Sequence, residues 1–235
     1  MSKRKWKLPA MSLLLFLVLL ADGALAGTVF AIARHQSGTF QSSTIQASTA
    51  QPRQVALTFD DGPHQTCTPA LLDGLKQRGV KATFFLMGEN IAGKELLVQR
   101  MQEEGHLIGN HSYRHIQMTK EEAEQACAEI EQTETLIQDI TGRRPEYLRP
   151  PYGAWNEQLE CRVNLTTVLW NVDSLDWKLK DTGKIIRQVL KDVKDGDIIL
   201  MHDIFPSSVE AALELIDILQ KEGYVFVTAD ELLIE

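Results

Sequence analysis

Three cysteines in 235 residues, Cys67, Cys127 and Cys161, are too few for a disulfide framework, and their number is odd. One bridge is the most the count allows, and the spacing holds no zinc knuckle. Each cysteine reads best as a small buried or half-buried hydrophobe. An excess of basic residues is also missing. The formal net charge is −8, which argues against nucleic acid or an anionic membrane surface as the partner, since both demand a basic face. A neutral or cationic substrate fits better. The chain has no internal repeat, and no low-complexity block beyond one polar stretch near its amino end. That argues against a scaffold built from repeats. What remains is an ordinary globular composition, 44% hydrophobic and 24% charged. The length allows one sizeable domain plus an appendage.

The appendage is at the amino end. Lys3, Arg4, Lys5 and Lys7 precede an apolar run from Met11 to Ala21, and Ala24-Leu25-Ala26 then forms a small-x-small cleavage site. Apolar residues resume from Thr28 to Ala33, so the stretch from Leu8 to Ala33 also reaches the ~20 residues needed to cross a bilayer, though Pro9 and Asp22 interrupt it. Residues 1–33 therefore read as a signal peptide or a membrane anchor. In both cases the basic start places the remainder outside the cytoplasm. Residues 34–52, rich in Ser, Thr, Gln and Ala, read as a flexible tether. The folded domain is expected over residues 53–235.

Within that domain, short apolar runs alternate with amphipathic stretches. Strands are expected at Val55–Phe59, Val80–Leu86, His106–Gly109, Tyr147–Arg149, Thr166–Trp170, Asp197–Met201 and Tyr224–Val227. Helices are expected at Pro69–Arg78, Ala92–Glu104, Thr182–Val193 and Ser207–Lys221. A longer one should run from a Thr119-x-x-Glu122 capping box to Ile140. Alternation of this kind means an α/β fold with parallel strands and right-handed crossovers. Asp60, His111, Arg149, Asp173 and His202 each fall at or just beyond the carboxyl end of a different strand. Several strands feeding one site is the geometry of a barrel mouth, whereas an open sheet gathers its site at one switch point. The expectation is a distorted seven-stranded β/α barrel.

Five constellations carry chemistry. Asp60-Asp61-Gly62-Pro63 leaves two carboxylates at a rim, one able to hold a metal and one to face a water on it; a solvated Asp-Gly turn is the plainer reading. His111 and His115, four apart, would share a face on one helical turn and converge on one ion; the plainer reading is a surface pair. Leu148-Arg149-Pro150-Pro151-Tyr152-Gly153 is a stiff loop suited to a preorganised amide donor, with Arg149 able to hold Asp60 ionised. Trp170 to Trp177 mixes carboxylates with aromatic faces on which sugar rings stack, Trp170 itself reading as core. Ile198 to His202 ends a buried strand in a third imidazole on the same rim.

These segments, in this order, resemble the NodB-type polysaccharide deacetylases, carbohydrate esterase family four, from about Arg53 to the end of the chain. The resemblance implies that Asp61, His111 and His115 hold a metal, usually Zn2+, with Co2+ or Mn2+ as alternatives. It implies that Asp60 is the general base, Arg149 the residue orienting it, and His202 the general acid. Asp176 would support His202, with Asp173 as the alternative. Pro150 and Tyr152 belong to the oxyanion loop, and Trp177 and Leu200 to the acetyl pocket and groove. The activity implied is metal-assisted removal of N-acetyl groups from N-acetylglucosamine units of an extracellular polysaccharide. Peptidoglycan stands first, chitin-like oligomers second and acetyl-xylan third; a catalytically inactive glycan-binding module is the non-enzymatic alternative. His64 and Cys67, close behind the Asp60-Asp61 pair, have no role in this reading.

Overall fold

The computed structural model describes residues 51–155 and 164–233. The leader, nearly all of the tether and Cys161 lie outside the described residues.

Strand β1 (Arg53–Asp60) is buried from Val55 onward, as expected for a parallel strand covered on both faces. Around it stand β2 (Thr83–Leu86), β3 (Leu107–Asn110), β4 (Tyr147–Leu148), β5 (Thr166–Thr167), β6 (Val172–Asp173), β7 (Asp197–His202) and β8 (Tyr224–Val227). All pairings are parallel. The order is β5-β4-β3-β2-β1-β7-β6, with β8 also on β1. β1 holds β7 along Val55 to Asp60; the start of β1 pairs with β8 and its end with β2. That shared strand is one source of the barrel's distortion. The other is that β5 and β6 do not pair among the described residues, where the chain itself crosses the gap.

The period-two alternation of side chains decides what each face does. Val55, Leu57, Phe59, Phe84, Leu86, Ile199 and Met201 point outward into the main core shared with the helices. Those helices include α1 (Cys67–Arg78), α2 (Gly88–Ile91), α3 (Glu95–Glu103) and α4 (Ala123–Thr141). They continue with α5 (Asp176–Leu179), α6 (Thr182–Asp192) and α7 (Pro206–Lys221), whereas α8 (Ala229–Leu233) packs through Ala229 and Leu232 on the axial side. The other parity faces the barrel axis. Ala56, Phe85, Val168, Ile198 and Ala229 form an apolar floor there, and burying a side chain of Phe or Ile size stabilises by about 1.5–3 kcal/mol. Two residues further along the same columns come Thr58 and Leu200, then Asp60 and His202, which are register partners. Gly109 of β3 lies against the Phe85 ring, and a Cβ there would overlap it.

Several local expectations are corrected. The helix expected over Ala92–Glu104 starts late: Gly93, at φ 76°, interrupts the chain after α2 ends at Ile91, and only α3, from Glu95, forms within the expected range. Thr119 sits in a 3-10 turn, Met118–Lys120; α4 starts at Ala123 with no side-chain cap from Glu122, so the capping box does not form. The strand expected over Thr166–Trp170 stops at Thr167, and an additional two-residue strand appears at Val172–Asp173.

Candidate active site

The carboxyl ends of β1, β3, β4, β6 and β7 meet at one cavity of about 400 Å³. It is lined by Asp60, Asp61, His111, His115, Tyr152, Trp170, Asp173, Trp177, Leu200 and His202. The backbone around it is unusual. Asp61, Ser112, His115, Tyr152 and Leu175 all have φ between 54° and 70°. For residues with side chains that region costs about 1–2 kcal/mol each, and it persists where surrounding contacts over-determine it.

His111 and His115 are not on a helix. They sit in a loop after β3, and the two left-handed residues, Ser112 and His115, turn it back so that both rings face the cavity, 5.0 Å apart. Helical spacing suggested the right convergence by the wrong backbone. The His111 Nδ1–H donates to the Arg149 carbonyl at 2.6 Å, which leaves Nε2 with its lone pair toward Asp61. Burial pushes the His111 imidazole down to about 3, so it is neutral at working pH, as a ligand must be. Asp61 Oδ1 lies 3.5 Å from His111 Nε2 and 3.6 Å from His115 Nε2. It is buried and has no hydrogen-bond partner among the described residues. One ligand atom from each of Asp61, His111 and His115 falls within 4.8 Å of the others. Ligand bonds of ~2.0–2.1 Å in a tetrahedron imply edges of roughly 3.3–3.4 Å, so an orphaned carboxylate oxygen and two free imidazole nitrogens fit one divalent ion.

Asp60 lies beside this group, its Oδ2 3.7 Å from His111 Nε2. Its Oδ1 accepts from Arg149 Nη1 at 2.9 Å. Arg149 is wholly buried, with Nη1 also on Thr58 Oγ1 (2.6 Å), Nε on the Val168 carbonyl (3.1 Å) and Nη2 on the Leu169 carbonyl (3.0 Å). The guanidinium rests 4.2 Å over the Phe85 ring. It thus ties β1 to the chain that crosses the open β5–β6 seam. Burial pushes the Asp60 carboxyl up, and the Arg149 charge offsets part of that.

Across the cavity, His202 Nδ1 meets Asp176 Oδ1 at 2.8 Å, and the His202 backbone N–H donates to Asp176 Oδ2 at 2.7 Å. The fully buried Asp176 is therefore the acid that reaches His202. Asp173 lines the cavity and spends Oδ1 on the Leu175 amide at 2.8 Å. Burial works against charge on His202, but the Asp176 carboxylate outweighs it and pushes the imidazole up to about 9. Nδ1 being committed to Asp176, Nε2 is the proton-bearing atom that faces the cavity, 3.9 Å from Asp61 Oδ2.

Tyr152, two-thirds exposed, sets its ring against His115 at 4.6 Å. Trp177 is half exposed and Leu200 buried, and both line the cavity; Pro150 is buried and does not. Trp170, expected in the core, packs one side on the apolar floor and gives the other to the cavity. Cys67 is buried in the main core away from the cavity, and His64 Nδ1 accepts the Cys67 amide at 3.2 Å, capping α1.

Two residues without an assigned role also shape the site. Asn90 of α2 holds the Asp61 carbonyl through Nδ2 at 2.8 Å. Asp203, fully buried, accepts from Thr68 Oγ1 and faces Gly62 so closely that a Cβ on Gly62 would overlap its carboxylate. The signal for Asp203 was its place directly after His202 on a buried strand; Asn90 carried no local signal.

The family model for polysaccharide deacetylase matches residues 47–167. The peptidoglycan-N-acetylglucosamine deacetylase PgdA of Listeria monocytogenes is 42% identical over 180 residues, 77% of this chain and 39% of the relative. The peptidoglycan-N-acetylmuramic acid deacetylase PdaC of Bacillus subtilis is 39% identical over 186 residues, 78% of this chain and 40% of the relative. This chain thus spans about two fifths of the length of these curated relatives. The solved structure of PdaC superposes with a TM-score of 0.76 at 38% identity, covering 77% of this chain and 90% of that one. On sequence and on fold alike, the chain belongs to the polysaccharide deacetylase family.

Proposed function

We propose that this chain hydrolyses N-acetyl groups on N-acetylglucosamine units of peptidoglycan, acting outside the cytoplasm behind the signal or anchor of residues 1–33. The observation that carries the reading is the orphaned Asp61 Oδ1 facing two free imidazole nitrogens, with Asp60 on one side and His202 on the other. A divalent ion held by Asp61, His111 and His115, zinc in this reading, supplies Lewis acidity to the acetyl carbonyl and to the attacking water.

The rest is work for the chain's own groups. Asp60 Oδ2 takes the water's proton, and Arg149 fixes the direction in which that carboxylate points. The Tyr152 amide, in a loop stiffened by Pro150 and Pro151, donates to the developing oxyanion. His202 Nε2–H protonates the leaving amine, and Asp176 keeps that proton available and the ring aimed. The C–N bond breaks, giving acetate and a glucosamine unit. Trp177 and Leu200 offer apolar walls to the sugar face and the acetyl methyl.

The peptidoglycan names carried by PgdA and PdaC support the polymer. The acidic net charge supports N-acetylglucosamine over N-acetylmuramic acid, whose lactyl arm carries a carboxyl group or a peptide. Mass spectrometry of digested peptidoglycan and of acetylated glucosamine oligomers, with and without chelator, tests the proposal. Loss of 42 Da per acetyl group on glucosamine residues, abolished by chelator, is expected as roughly the mass of a ketene unit. Deacetylated oligomers with intact peptidoglycan would instead favour the chitooligosaccharide reading. No loss from any substrate would favour the inactive glycan-binding module.

A further inference from the structure

The His111–His115 loop carries two of the three ligand imidazoles, and its shape is set from a helix in which the sequence showed no site. Two consecutive residues of α4 hold its two ends. The Ile130 carbonyl accepts from Asn110 Nδ2 at 2.8 Å, and Asn110 Oδ1 in turn accepts the Ser112 amide at 2.8 Å. Glu129, only 3% exposed, takes the other end. Its Oε2 accepts the Arg114 backbone N–H at 2.7 Å, and its Oε1 accepts Arg114 Nε at 2.7 Å and Nη2 as well. One carboxylate thus grips both the main chain and the side chain of the residue just before His115.

His115 itself stands at φ 56°, with its N–H on Ser112 Oγ at 3.1 Å. A left-handed ligand residue relaxes unless its neighbours forbid it. Charge-assisted bonds in which a buried acid meets both an amide and a guanidinium are the strong kind. Without them residue 114 loses its anchor, and the Ser112 hydroxyl and the Tyr152 ring alone would have to keep His115 Nε2 3.6 Å from Asp61 Oδ1.

We infer that Glu129 is a positioning residue of the metal centre, clamping Arg114 so that His115 Nε2 is held on Asp61 before any ion arrives. The inference rests on the proposed Asp61–His111–His115 ligand set. Arg114 and Glu129 do not line the cavity; they act through the loop.

Zinc affinity measured by chelator competition on the apo protein tests it, together with the visible spectrum of the cobalt-loaded form and the apo melting temperature. Glu129→Gln keeps the shape and one acceptor oxygen but loses the charge. It is expected to bind zinc about 10-fold or more weakly, the usual consequence of loosening a ligand's support, with an altered cobalt spectrum. Arg114→Ala, whose side chain is 56% exposed and whose loss spares the core, is expected to weaken zinc in the same direction but less, since its backbone amide remains. It also carries the test if Glu129→Gln fails to fold. His115→Ala is the control for the ligand set and should lose tight binding. If it binds zinc as the natural protein does, the ligand set itself is wrong and the inference falls with it. If His115→Ala loses zinc while Glu129→Gln and Arg114→Ala bind it normally, the clamp alone is overturned. A Glu129→Gln protein that melts earlier yet keeps normal zinc affinity overturns it too, leaving Glu129 a residue of the fold only.

Discussion

Replacing Arg149 with alanine should damage stability and chemistry together, for reasons that can be separated. The guanidinium is wholly buried and makes four hydrogen bonds, to Asp60, Thr58, Val168 and Leu169. Removing one partner of a buried ion pair leaves the other charge without compensation and costs about 3–5 kcal/mol. The two freed carbonyls add to this only as far as water fails to reach them. For a domain of this size about 1 kcal/mol moves the melting temperature by roughly 2–4 °C, so a fall of about 6–20 °C is expected. The chemical effect follows from Asp60. Burial already pushes its carboxyl up, and the Arg149 charge is the first influence opposing that. Without it the carboxyl rises further, so the base is protonated over more of the neutral range. The acid limb of the kcat/KM profile should therefore move to higher pH. Arg149→Lys keeps a charge but not the fork that reaches two carbonyls, so it should shift the limb less while still lowering the melting temperature. Thermal melts and pH–rate profiles of the zinc-loaded variants measure both effects. An Arg149→Ala protein melting within about 2 °C of the natural one, with its acid limb unmoved, would refute the reasoning.

Asp176→Asn should lower the His202 value from about 9, because the carboxylate is the leading influence holding it up against burial. The basic limb of kcat/KM then moves to lower pH, and a limb that stays in place would remove Asp176 as the partner. Gly62→Ala should lower the melting temperature and disturb Asp61, since the new methyl overlaps the buried Asp203 carboxylate; overpacking of this kind costs about 1–3 kcal/mol, and an unchanged melt would show that Asp203 can move aside. His106 is buried, its Nδ1 accepting the Ala82 amide at 3.1 Å, and burial holds it down to about 4, against 6.5 for the exposed group. The unfolded chain therefore takes up this proton first as pH falls, and His106 removes stability between about pH 6.5 and pH 4. His106→Asn, which can still offer the amide an acceptor, should lose less melting temperature between pH 7.5 and pH 4.5 than the natural protein. Equal losses would contradict the assignment.

Much of this protein follows from local pattern. Alternating side chains on β1 and β7 make one face of each strand apolar for the helices. The other carries Ala56-Thr58-Asp60 and Ile198-Leu200-His202 up the barrel axis, so the chemistry had to emerge at the strands' carboxyl ends. The parallel α/β architecture and the grouping of Asp60, Asp61, His111, Arg149 and His202 were legible for that reason, because strand parity and the βα alternation are properties of the chain itself.

What local pattern could not decide is whatever depends on a partner far away in the chain. Both Asp173 and Asp176 precede His202 at plausible spacing, and only the packing of α5 beside the end of β7 selects Asp176. The His111–His115 spacing reads as a helical turn until Glu129, Asn110 and Ser112 impose left-handed backbone on it. The Thr119-Glu122 box reads as a cap, yet the helix starts a residue beyond it. In the first two cases the local preference is a small energy, and a few buried hydrogen bonds assembled only in the tertiary structure outweigh it.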